Sequence, residues 1–92
     1  MAPLALAYAL NGQWTKAREV ADKITNDPTG KAVLVGLAAR AVEGNVLPLK
    51  DAISTAGPEQ GQKLRTHVMW VIDRGGGNVA AVKAALDGEE LP

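Results

Sequence analysis

The chain reads as an all-α protein, a solenoid-like stack of three antiparallel helical hairpins with about six helices. Three observations predict this. Residues 12–21, 44–53 and 77–86 can be laid over one another, each with a glycine, a polar amide, an apolar anchor, a second anchor three residues on, and a basic residue. Their glycines fall 32 and then 33 residues apart, a period of helical hairpins that bury their apolar faces only by stacking. The composition is 47% hydrophobic but only 3% aromatic, with no Phe and abundant alanine. Such thin side chains suit helices packed close together, whereas a sheet would call for β-branched and aromatic residues. Ninety-two residues make one domain, 1–92, with units at about 1–28, 29–57 and 58–88 and a tail at 89–92.

The first helix is expected over residues 4–10, closed by the turn pair Asn11-Gly12. The apolar start, residues 1–10, lacks the basic flank of a signal peptide and is too short to span a bilayer. It reads as a first helix cut off from whatever preceded it, the expectation for a fragment of a longer protein; the missing signal peptide slightly favours the cytoplasm. The second helix, 14–25, places Trp14, Ala17, Ala21 and Ile24 on one stripe with Val20 beside them, opposite Lys16, Arg18, Glu19, Asp22 and Lys23. A break at 26–30 follows, with Pro28 tolerated at a helix start. The third helix, 31–43, is apolar nearly all round and is therefore expected to be buried between neighbours. Asn45 reads as an N-cap for the fourth helix, 46–56, with Pro48 in its first turn. Gly57-Pro58 separates it from the fifth, 59–74, whose Leu64, Val68, Val71 and Ile72 face inward. Gly75-Gly76-Gly77 reads as a flexible turn, Asn78 as the next cap, and 79–86 as the sixth helix, stopped by Asp87-Gly88.

The repeat is physical as well as textual. At the second, fifth and ninth positions after each glycine stand Trp14, Ala17, Ala21; Val46, Leu49, Ile53; and Val79, Val82, Leu86. Volumes vary while the stripe persists, as expected of positions that pack into a shared interior.

Leu4, Ala5, Tyr8, Gly12, Trp14 and Ala17, with Pro28 beyond, stand at the spacings of a tetratricopeptide (TPR) repeat, and the first unit resembles that family. The later units keep Gly44 and Gly77 but place Leu37, Arg40, Trp70 and Asp73 where the family has small and aromatic residues. The resemblance implies a right-handed α-solenoid whose first helices line a concave groove. Its groove-facing positions here are Leu6, Ala9 and Leu10; Lys31, Leu34, Ala38, Ala41 and Val42; and Leu64, His67, Val71 and Arg74. The period also fits ankyrin repeats, and 77–86 resembles their second helix, but no Thr-Pro-Leu-His start occurs.

Chemistry finds little purchase. Lys plus Arg equals Asp plus Glu, ten each, which weakens a nucleic-acid reading because phosphate contacts call for basic excess. The chain has no cysteine, and His67 is its only histidine, with no carboxylate at helical spacing, so no metal site or general base is expected. Ser54 and Thr66 have no evident base partner, and the triple glycine follows a helix rather than the strand of a phosphate loop. Lys63, Arg65, His67 and Arg74 form a basic cluster on the fifth helix. Trp14 reads as a packing residue; Trp70, if exposed, as an interface anchor.

The expected function is thus a scaffold without catalysis, cofactor or metal. It would receive an amphipathic helix or apolar segment in a groove of Leu6, Leu10, Lys31, Leu34, Ala38, Leu64, His67, Val71 and Arg74. The alternatives are a homo-oligomeric assembly module and an anionic-ligand or nucleic-acid binder acting through the basic cluster. No insertion into a membrane is expected.

Overall fold

A computed structural model describes residues 2–24 and 30–88, which form five α-helices and no strand. They are α1 (Ala2–Leu10), α2 (Trp14–Lys23), α3 (Lys31–Val42), α4 (Leu47–Arg74) and α5 (Val79–Leu86). The described residues are all-α as expected, but they form five helices and not six. The expected fourth and fifth helices are one element, because a single residue makes the break between them. Gly57, at φ 90° and ψ 174°, turns the backbone and Pro58 resumes the helix with no loop. The bend is sharp. A Cβ added at Gly61 would lie 2.6 Å from the Ile53 carbonyl oxygen, whereas eight residues of straight helix span about 12 Å. The arms 47–56 and 58–74 therefore fold back on each other, with glycine at their closest approach.

Three turns share one geometry. Gln13 N–H donates to the Tyr8 carbonyl (2.9 Å) and Gly12 N–H to that of Ala9 (3.0 Å). Asn45 and Gly44 repeat the pair on Arg40 and Ala41, and Gly77 and Gly76 on Ile72 and Asp73. Each is a Schellman closure, which needs a left-handed residue just past the helix; Gly12, Gly44 and Gly76 supply it at φ 76°, 98° and 77°. The third turn is thus headed by Gly76 rather than Gly77, and the turn glycines are spaced 32 and 32.

Asn78 caps α5 as expected, its side-chain oxygen accepting from Ala81 N–H at 3.0 Å. Asn45 does not cap α4, since its N–H closes the preceding turn and Val46 holds the cap position without a side-chain bond. α2 stops at Lys23 with Ile24 extended, before the expected end at Thr25. Thr25, the Pro28 helix start and the 89–92 tail lie outside the described residues.

All nine repeat anchors belong to or pack against one hydrophobic cluster. Its largest fully buried members, Leu49, Ile72, Val35, Val68 and Val71, come from the third helix and both arms of α4, each worth about 1.5–3 kcal/mol of burial. α1 packs on α2, α3 and α4; α3 packs on α2 and α4; α5 packs on α4. Ion pairs tie α2 to α3: Arg40 holds both Asp22 oxygens (2.9 and 3.0 Å), and Arg18 reaches Glu43 at 3.3 Å.

The helices before the three turns meet at their C-terminal ends. A Cβ on Gly75 would overlap the Ala9 carbonyl oxygen and the Trp14 indole, and one on Gly77 would press on Ile72 and Val42 side chains. The glycine string is therefore a packed seam, where a flexible turn was expected. It locks the first hairpin's turn against the third.

Candidate functional site

Because α1, α3 and the second arm of α4 converge at one end, the space left between them lies toward the other. There they enclose a cavity of about 650 Å³. Leu6 contributes from α1; Lys31, Val33, Leu34 and Val35 from the first turns of α3, with Gly30 before them; and Leu64, His67, Trp70 and Val71 from α4. The volume lies in the range that buries a small ligand or a few side chains. Lys31 and His67 are the polar side chains of the lining, and it contains no carboxylate.

Leu6, Lys31, Leu34, Leu64, His67 and Val71 of the expected groove are brought together in this cavity. Leu10, Ala38 and Arg74 lie outside it. Ala38 is fully buried, as Ala41 nearly is, because the convergence at the turns closes the groove where they stand. Leu10, at the C-terminal end of α1, is exposed beside the seam.

Two residues outside the expected groove set complete the lip. Trp70 is 49% exposed and Val33 62% exposed. Trp70 was legible from helical spacing, since Lys63, His67, Trp70 and Arg74 follow one another at i, i+4, i+7 and i+11 on a solvated face. Val33 carried no such signal: it stands in a helix apolar nearly all round, whose Ala32, Val35, Gly36, Leu37, Ala38, Ala39 and Ala41 are buried as expected.

The basic cluster does not act as one patch. Arg65 turns toward α5, placing its guanidinium nitrogens 2.9 and 3.3 Å from the two Asp87 oxygens. That hydrogen bond, aided by the cation's field, holds the Asp87 carboxyl below its ordinary value of 3.8. Lys63 and His67 border a shallow depression with Pro58, Glu59, Gln62 and Thr66. The Arg74 guanidinium lies over the Trp70 ring, 5.5 Å from its centroid.

The chemically suggestive groups are occupied by local structure. The amides of Gly75, Gly76 and Gly77 donate to the Val71, Asp73 and Ile72 carbonyls, leaving no amide cradle for a phosphate. The Thr66 hydroxyl donates to the Gln62 carbonyl at 2.9 Å. Among the described residues no group of three or more His, Cys, Asp or Glu stands together as a metal site, and no helix is long and apolar enough to cross a membrane. Comparison with protein-family models, curated proteins and solved structures finds no match to the chain.

Proposed function

We propose that the chain is a non-catalytic interaction module built of tetratricopeptide-like hairpins, and that it receives an amphipathic helix of another protein in the cavity between α1, α3 and α4. The observation that carries this reading is the half-open apolar cavity with an exposed tryptophan and valine at its lip. Apolar side chains left accessible in a contiguous concave patch mark interaction surfaces, and tryptophan is the residue type most often found at binding hot spots. Three equivalent Schellman turns and nine anchors in one core support the hairpin-repeat architecture.

A titration tests the reading. Isotope-labelled protein would be mixed with a synthetic amphipathic helix carrying Leu at i, i+3, i+4 and i+7, and amide shifts followed by NMR. Shifts centred on Leu6, Leu34, Leu64, His67, Trp70 and Val71 are expected; no shift at millimolar peptide, or shifts scattered over α2 and α5, would reject it.

Self-association is a second reading, favoured by apolar side chains outside the cavity: Leu47 is 65% exposed, and Leu4 and Leu10 are also exposed. Sedimentation velocity across a concentration series separates the two, since a module that waits for a different chain stays monomeric.

A further inference from the structure

The four arginines of the chain fall into two groups. Arg18, Arg40 and Arg65 each reach a carboxylate on, or capping the end of, another helix, at 3.3, 2.9 and 2.9 Å. Among the described residues Arg74 meets no carboxylate but the face of Trp70, 5.5 Å from the ring centroid. A guanidinium over an aromatic face is attracted by the ring and keeps N–H donors for a further partner. Contact with the ring restrains the side chain, and a carboxylate that meets the guanidinium fork gains a charge-assisted bond.

Trp70 also forms the lip of the apolar cavity, so this fork stands beside the opening. The lining of the cavity holds no carboxylate, and His67, with Lys63 one turn before it, stands on the same exposed face as Trp70 and Arg74. Charge complementarity therefore selects one sign of partner. We infer that the helix received in the cavity carries carboxylates beside its apolar stripe, and that one of them docks on the Arg74 guanidinium stacked over Trp70. This inference rests on the reading of the cavity as a peptide seat and adds the chemistry of the peptide.

Two synthetic helices test it, identical in their apolar stripe but flanked by Glu in one and Lys in the other. Their affinities would be measured by calorimetry against the wild-type chain and against Arg74→Gln, with thermal melts to check that the exposed substitution leaves the fold intact. The Glu peptide is expected to bind about tenfold more tightly than the Lys peptide, and Arg74→Gln to remove most of that difference by weakening the Glu peptide alone. The preference should also shrink as salt is added. Equal binding of both peptides, or a preference untouched by Arg74→Gln, would overturn the inference and leave the peptide seat standing. Failure of both peptides to bind overturns the seat and the inference together.

Discussion

At Gly75 a methyl group would overlap the Ala9 carbonyl and the Trp14 indole, whereas at the adjacent Gly76 it would meet nothing within 4 Å but would sit at φ 77°. The two glycines are needed for different reasons, and their alanine variants should separate them. Gly75→Ala should cost about 1–3 kcal/mol through overpacking and shift the Trp14 emission, because it forces the seam apart. Gly76→Ala should cost about 1–2 kcal/mol of backbone strain with that emission unchanged. Urea melts followed by fluorescence measure both; a Gly75→Ala protein of wild-type stability would mean the turns do not touch. Trp70 is the opposite case. Half-exposed at the lip, its replacement by Ala should change folding stability by no more than about 0.5 kcal/mol. The same change should weaken peptide binding by about 2 kcal/mol, the loss typical of a hot-spot truncation, as calorimetry would show.

Single elements are held by devices that can be removed one at a time. α5, only eight residues long, is too short to be stable alone and depends on its cap and its contacts with α4. Asn78→Ala, which deletes the bond to Ala81 N–H, should lower stability by about 1 kcal/mol, read as a shift in the midpoint of chemical unfolding. The Arg65–Asp87 pair makes a pH-dependent contribution of definite sign. The folded-state pKa of Asp87 lies below 3.8, so its contribution is present above that value and fades as pH falls through the folded pKa. Asp87→Asn should therefore be less stable than wild type at neutral pH, with the two melting curves converging in acid. A gap that persists at the acid end would show that the substitution acts through something other than this ion pair. The bent helix α4 follows the same logic: Gly57 provides the bend, and Gly61 lets the arms approach.

For the whole molecule, the contact between the first and third turns has a consequence for folding. In an open stack each unit touches only its neighbours, and the ends can fray separately. Here Ala9 and Trp14 of the first hairpin meet Gly75 at the start of the third turn, so the units should unfold together. Thermal transitions followed by Trp14 fluorescence in a Trp70→Phe background and by far-ultraviolet circular dichroism are expected to coincide, and separated midpoints would argue for an open array. The Cα radius of gyration, 12.2 Å, matches the roughly 12 Å of a compact chain of this length. Closure at the turn end also explains why the expected groove was found only in part. Leu6, Leu34, Leu64 and His67 sit where the three helices remain apart, Val71 is a fully buried residue of the cavity lining, and Ala38 is closed off.

The helices, their turns and the side chains that point inward were legible in the sequence because each depends on residues close along the chain. A left-handed closure needs glycine, and a buried stripe needs apolar residues at helical spacing; both leave a local mark at Gly12, Gly44 and Trp14, Leu49, Val82. Gly57-Pro58 marked the break inside α4, but the sharpness of that bend, the seam between the first and third turns and the exposure of Val33 left no such mark. They depend on distances between residues far apart in sequence, such as Ala9 and Gly75, and only the packing of the whole chain decides which part of an apolar surface is closed and which stays open.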